Sequence, residues 1–120
     1  MKHGRICAQT EGDNSVVILP TVAKTSTVLE RMRGLLGRPP LGSGEGLLLH
    51  RCNSVHTLFM RCPVDVVYLD RTYTVIKLVS ALVPYRLSMA PRAVAVLELK
   101  AHEATRCDIN VGMRLKWENI

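Results

Sequence analysis

A series of short apolar runs between residues 47 and 117 constrains the fold of this chain most strongly. The runs are rich in valine, isoleucine and leucine, and each has the length of a β-strand. Pro63, Pro84 and Pro91 separate several of them, and proline favours strand ends and sheet edges because it cannot donate to a strand ladder. The six runs are LLLHRC, VHTLFM, VDVVYL, TVIKLVS, AVAVLELK and MRLKW. They predict a strand-rich domain, with a further strand at SVVILP (15–20).

One segment changes to a helical period. Apolar residues recur on one helical face over residues 25–36, where Thr25 or Ser26 can cap the start and Gly37 with the following prolines can end the helix. The segment AHEATRC (101–107) predicts one short helical turn. The apolar face of the main helix consists of Val28, Leu29, Met32, Leu35 and Leu36.

Together these elements predict an α+β fold that is mostly β. We expect a small antiparallel or mixed sheet, curled into a barrel or sandwich, with one main helix after an early strand. A length of 120 residues fits one domain spanning residues 1–120, with residues 1–13 as a loosely ordered N-terminal segment.

The charge and composition narrow the class of protein. The net charge of +6 comes from scattered basic residues without a run of five, and aromatic residues make up 4% of the chain, so nucleic-acid binding is not favoured. No apolar stretch approaches the ~20 residues of a membrane helix, and the N-terminus lacks the apolar core of a signal peptide. We therefore expect a cytoplasmic protein without membrane insertion, whose four cysteines are free thiols.

The segment HRCNSVHTLFMRCPVD (50–65) concentrates residues with chemical potential. His50, Cys52, His56 and Cys62 are metal-ligand types, but their spacing lacks the close pairs typical of structural zinc sites. A two-residue hairpin turn at 53–54 would also place Cys52 and His56 on opposite faces. These four residues are therefore weak metal candidates, and no metal or other cofactor is expected.

The same segment allows a nucleophile. Cys52 or Cys62 could act with His56 as its base, although buried free cysteines commonly serve as small apolar side chains. Asp65 interrupts an apolar strand and must find a partner, because burying a carboxylate alone is costly. Either it accepts backbone N–H groups at the start of a strand, or it pairs with His56, Arg61, Arg31 or Arg33 beside a pocket. Glu98 raises the same question more weakly, since it can mark the point where its strand leaves the core.

Four motifs, taken in order, resemble the bacterial and archaeal family called domain of unknown function 192. The resemblance runs from about residue 22 to residue 117. The helix end matches R-x-x-G-L-[LM], a strand begins with GLL, the central segment matches H-T-x-x-M-x-x-P-[IV]-D-[VI], and a later strand reads VLEL. The matching positions are Arg31, Gly34, Leu35 and Leu36; Gly46 to Leu48; His56, Thr57, Met60, Pro63, Val64, Asp65 and Val66; and Val96 to Leu99.

The resemblance implies a compact, mostly β domain and no established activity, and many relatives carry an export signal. The chain departs from the family pattern at two places. Lys100-Ala101-His102 stands where the family has P-A-G after L-E-L, and Met113 follows Gly112 where the family has aspartate. Any site built by the end of the domain in relatives is therefore altered here.

We expect a non-catalytic binding or accessory module with a small polar pocket near His56 and Asp65. Its ligand-binding residues would be Arg31, His56, Thr57, Arg61 and Asp65. One alternative is a hydrolase using His56 with Asp65 or a cysteine, with or without a metal, and a second is a protein-interaction module. The expected partner is a small ligand or a protein, and the expected state is a monomer or small homo-oligomer.

Overall fold

A seven-stranded mixed sheet and a two-stranded sheet organise this protein in the computed structural model, which describes residues 1–12, 14–27, 40–57 and 60–120. The elements are β1 (Lys2–Gln9), β2 (Ser15–Lys24), β3 (Glu45–His50), β4 (Ser54–His56), β5 (Val64–Leu69), β6 (Val75–Leu82), β7 (Leu87–Met89), β8 (Ala95–Lys100), α1 (Glu103–Arg106) and β9 (Leu115–Asn119). The prediction of a mostly β chain with a mixed sheet is confirmed.

The large sheet has the strand order β6-β5-β8-β3-β2-β1-β9. Its neighbouring strands are antiparallel except β2 and β3, which are parallel. Of the two predicted arrangements, a sheet curled into a barrel or a sandwich, the barrel is wrong, because the sheet stays open in the described residues. Its two edges meet at an isolated bridge between Thr74 and Arg114. Since β6 and β9 both begin beside this antiparallel bridge, they run apart from it instead of pairing along their length.

The predicted apolar runs 47–52, 55–60, 64–69, 74–80, 93–100 and 113–117 all contain strand residues, and residues 15–20 lie in β2. Two strands were not predicted, β1 and β7. Residues 1–13, for which we expected a loose segment, contain β1, which pairs with β2 on one side and β9 on the other. It is held there because Ile6, Cys7 and Ala8 are buried in succession.

Both faces of the large sheet are covered by core. Along β5 every residue is buried, and alternate side chains enter two different apolar clusters. Val67 and Leu69 join one cluster, whereas Val66 and Tyr68 join the other. Because strand residues alternate between faces, an unbroken apolar run is the expected sequence for a strand buried on both sides.

The small sheet forms a second layer over one of these clusters. In it β4 pairs with β7 in antiparallel register, with Val55 opposite Ser88. Val55 belongs to the cluster that contains Tyr68, and the Tyr68 hydroxyl donates a 2.8 Å hydrogen bond to Ser88 Oγ. The side chains adjacent to Val55 and Ser88 in sequence therefore lie on the outer face of this sheet.

The helical predictions have two outcomes. The short turn at residues 101–107 is confirmed as α1, whose Ala104 packs in the core cluster of the opposite face. The predicted main helix falls largely on residues 28–39, which lie outside the described residues, and the described residues Thr25 to Thr27 are not helical. Within the described part of the chain, no helix has the length and apolar character needed to span a bilayer.

Candidate functional site

The segment 50–65 does not form the hairpin considered from the sequence. β3 pairs with β2 and β8, whereas β4 leaves the large sheet and pairs with β7, so the two-residue turn at 53–54 is wrong. The chain changes layers at Arg51, which has a φ of 54°, and the Cys52 amide then donates to the Val94 carbonyl at 3.0 Å. This layer change separates the residues before Arg51 from those after it.

Asp65 is fully buried, and backbone N–H groups compensate its charge by hydrogen bonding. Its Oδ1 accepts hydrogen bonds from the backbone N–H of Ala81 at 2.8 Å and of His102 at 3.1 Å, and its Oδ2 accepts one from Ala104 N–H at 2.9 Å. These bonds match the structural alternative, in which the carboxylate accepts backbone donors. A ligand-binding role for Asp65 stays a prediction, and it would require a ligand to displace at least one of these bonds.

The small sheet, which carries His56, covers one face of the large sheet, whereas the Asp65 carboxylate lies on the other face. The His56 side chain is exposed on the outer face of the small sheet, directly opposite Leu87. No hydrogen bond joins His56 to Asp65 or to a cysteine in the described residues. A hydrolytic role for His56 therefore has no supporting contact here and stays a prediction.

Thr57, the next residue, fixes a turn. Its hydroxyl donates to the Val83 carbonyl at 2.7 Å and accepts from the Arg86 N–H at 2.8 Å, while its own amide donates to the Arg86 carbonyl at 2.8 Å. It is buried, so these bonds tie β4 to the segment that leads into β7. Thr57 thus has a structural role at this position.

The remaining predicted residues are dispersed. Arg31 lies outside the described residues, and Arg61 is exposed after β4. Of the weak metal candidates, Cys62 is exposed, and Cys52 donates to the Ser54 carbonyl at 3.0 Å. His50 stands at the end of β3, on the far side of the layer change. Where the structure describes the chain, no group of three or more histidine, cysteine or acidic residues could hold a metal ion.

Glu98 is not leaving the core, contrary to the weaker alternative considered from the sequence. It is 5% exposed in the middle of β8, between Leu47 and Val66 on the neighbouring strands. Among the residues that the structure describes, its Oε2 has no hydrogen-bond partner, and burial raises the pKa of the carboxyl to about 7. Glu98 is therefore an unsatisfied acid inside an apolar layer, and its protonation state depends on pH near neutrality.

A basic cavity lies elsewhere, at the end of the large sheet where β1 begins and β2 and β3 end. Its volume is about 480 Å³. The described residues that line it are two lysines, an arginine, a histidine and three hydroxyl residues, and none of these is acidic. They are Lys2, Lys24, Thr25, Ser26, Thr27, His50 and Arg51.

Two lysines face each other in this cavity. Lys2 and Lys24 are directly opposite in the antiparallel pairing of β1 and β2, a position at which like charges repel. Partial burial, and then the charge of Lys2, lowers the pKa of Lys24, whose ammonium group also lies 5.4 Å from the centre of the Trp117 ring. In the described part of the chain, neither lysine has an ion-pair partner.

Thr25 joins two strand ends in the wall of the cavity. It is buried, its amide donates to the Leu48 carbonyl at 2.9 Å, and its hydroxyl accepts from the His50 amide at 3.0 Å. These bonds fix the ends of β2 and β3 side by side. The sequence analysis missed this site because Lys2 and Lys24 are far apart in sequence and converge only through strand pairing; no local motif signals them.

Comparison with known proteins identifies the relatives of the chain. The model of the family DUF192, described as "Uncharacterized ACR", matches residues 8–117. No curated protein matches the chain. A solved structure from Sinorhizobium meliloti 1021, named a "putative transcription regulator", has a TM-score of 0.81 at 20% identity and covers 96% of this chain and 93% of its own.

A second solved structure, of a protein of unknown function from Novosphingobium aromaticivorans DSM 12444, has a TM-score of 0.75 at 24% identity. That alignment covers 94% of this chain and 84% of the other. At these identities the two structures support the fold alone.

Proposed function

This chain belongs to the DUF192 family, and from that premise we propose that it is a non-catalytic binding module whose basic cavity takes a small anionic ligand. The proposal keeps the binding function expected from the sequence and moves its site from His56 and Asp65 to the cavity beside Lys2 and Lys24. The observation that carries it is the juxtaposition of these two lysines on facing positions of β1 and β2.

Electrostatics favours an anion at this place. Two ammonium groups held on opposite residues repel each other, and partial burial of Lys24 adds a desolvation cost. A phosphate or carboxylate group between them would replace this repulsion with two charge-assisted hydrogen bonds. An anionic ligand would therefore stabilise this pair of lysines more than it would stabilise an exposed pair.

The rest of the lining suits a ligand with further polar groups. Ser26, Thr27 and Arg51 also line the cavity, so its wall contains hydroxyl and guanidinium groups besides the two lysines. A volume of about 480 Å³ lies within the ~300–1,000 Å³ usual for small-molecule sites. We therefore favour a small molecule with a phosphate or more than one carboxylate.

Amide NMR of the whole chain, titrated with inorganic pyrophosphate, tests this proposal. We expect saturable shifts at the amides of Thr25 to Thr27, His50 and Arg51. Lys24→Gln should weaken binding about tenfold or more, because a charge-assisted hydrogen bond contributes ~1.5–3 kcal/mol.

Lys100→Gln is the matched control, since Lys100 is an exposed lysine at the end of β8. It should leave the pyrophosphate affinity within about twofold of the unmodified chain, since a distant exposed charge is screened. Shifts scattered over the basic surface, or an equal loss of affinity in both variants, would overturn the proposal.

A further inference from the structure

A second feature, independent of the basic cavity, lies in β7 and in the bend that precedes it. Four large apolar side chains at alternate positions are exposed along one seven-residue segment that runs from the turn fixed by Thr57 through β7. Their exposed fractions are 46% for Val83, 62% for Tyr85, 71% for Leu87 and 53% for Met89. We call these four residues the β7 patch.

The β7 patch is held in place rather than loosely attached. Val83 and Arg86 are bonded to the hydroxyl of Thr57, and the Tyr85 amide donates to the Thr57 carbonyl at 3.0 Å. Further along, Ser88 accepts the hydroxyl of the buried Tyr68 at 2.8 Å. Because these bonds fix the backbone, the apolar side chains remain exposed to water. That exposure is unfavourable, and a binding partner that covered the side chains would remove the cost.

The surroundings of the β7 patch are basic. The sequence stretches 51–63 and 71–97, which contain both strands of the small sheet, hold no aspartate or glutamate. Arg86 lies within the patch segment, Lys77 contacts it through a 2.7 Å bond to the Met89 carbonyl, and Arg61 and Arg92 follow β4 and β7 closely in sequence. An occupant of this surface must therefore be both apolar and anionic.

From this combination we infer that the β7 patch docks on an anionic lipid surface. Its apolar side chains would enter the interface between headgroups and acyl chains, and the surrounding arginines and Lys77 would contact lipid phosphates. Tyrosine suits this depth because its ring is apolar and its hydroxyl is polar. The inference does not depend on the ligand proposed for the basic cavity.

Other occupants fit the observations less well. A symmetric dimer through this face would bring the same basic residues of two chains, each with a net charge of +6, against each other. Addition of a partner strand to the edge of β7 that pairs with no strand in the described residues would have to displace Lys77 from the Met89 carbonyl. A stable protein interface also needs roughly 1,000 Å² or more, which a seven-residue segment does not supply by itself.

Co-sedimentation with sucrose-loaded vesicles tests the inference. The whole chain should bind vesicles of phosphatidylcholine mixed with phosphatidylglycerol, bind vesicles of phosphatidylcholine alone much more weakly, and dissociate as salt is raised. Leu87→Glu should lower the partition coefficient on the mixed vesicles by about tenfold or more, since a charge replaces an inserted apolar side chain. Met89→Glu is a second variant in case the first perturbs folding.

Val111→Glu is the matched control, because Val111 is an apolar residue with 63% exposure in the turn before β9. It should leave binding to the mixed vesicles within about twofold, since its only effect is a small loss of net charge. Lys24→Gln in the basic cavity should do the same. Failure of the unmodified chain to bind the mixed vesicles at low salt would overturn the inference. Equal losses of vesicle binding in Leu87→Glu and Val111→Glu would also overturn it. The same holds if the chain binds acidic proteins but no vesicles at low salt.

Discussion

Asp65 Oδ2 accepts a hydrogen bond from the backbone N–H of Ala104 at 2.9 Å, across 39 residues of sequence. Its other oxygen accepts from Ala81 and His102, so one carboxylate joins the start of β5 to the end of β6 and to the first turn of α1. This explains why an acid occupies a fully buried strand: the end of β6 and the start of α1 converge there and together present three backbone donors that need an acceptor.

Asp65→Asn should destabilise the protein by about 2–4 kcal/mol, because the amide nitrogen cannot accept a hydrogen bond and leaves buried N–H groups unsatisfied. Urea denaturation followed by circular dichroism measures this change. Asp70→Asn is the control, since Asp70 accepts from Thr72 and Thr74 within its own exposed turn. A loss for Asp65→Asn no greater than that for Asp70→Asn would contradict the cross-linking role.

Glu98 should make stability fall as pH rises towards neutrality. Its pKa is about 7 in the folded protein against 4.5 ordinarily, so between these values the unfolded chain releases a proton that the folded chain retains. Over that window Glu98 costs on the order of 3 kcal/mol, at 1.36 kcal/mol for each unit of difference in pKa. Glu98→Gln should remove this slope and be more stable than the unmodified protein at pH 8.

Unfolding free energies at pH 4.5, 6 and 8, compared between Glu98→Gln and Glu11→Gln, test this expectation. Glu11 is an exposed glutamate between β1 and β2, and its replacement should leave the profile unchanged. Parallel pH profiles for the unmodified protein and Glu98→Gln would show that Glu98 does not titrate in the folded state as expected.

Glu103 should act in the opposite direction. Its Oε1 accepts bonds from Arg106, Gly44 and Ser43, and these hold its pKa at about 2, below the ordinary 4.5. The stability that it contributes is present above pH 4.5 and is lost as pH falls towards 2. Glu103→Gln should therefore be less stable than the unmodified protein at pH 6, and the difference should shrink in acid. Thermal unfolding at pH 6 and pH 3 measures it; a difference that does not shrink would refute the ionic account.

Thr57→Val should loosen the turn between β6 and β7. The change removes the hydroxyl that bonds Val83 and Arg86, and we expect a loss of about 1–2 kcal/mol, with faster amide hydrogen exchange at Arg86. Thr57→Ser keeps the hydroxyl and should behave much more like the unmodified protein. If both variants exchange at the same rate, the hydroxyl does not fix this turn.

Several features follow directly from local sequence. The apolar runs that contain β3, β5, β6 and β8 have enough β-branched and aliphatic residues to predict strands. The unbroken burial of β5 follows because its run is apolar at positions that face both sides of the sheet. The motifs from Arg31 to Leu99 likewise indicated the family that the comparison confirmed. A buried role for Asp65 also followed, since an acid in such a strand requires a partner.

Only the tertiary structure decided which residues meet. The choice of partners for β3 and β4 placed His56 on an outer face and Asp65 inside, and strand pairing brought Lys2 opposite Lys24 and Thr57 against Arg86. Periodicity records which side of a strand faces the core, but not which strand lies beside it, because pairing is determined by the packing of the whole chain. The sequence by itself therefore determined the strands and the family, and the tertiary structure decided the basic cavity and the β7 patch.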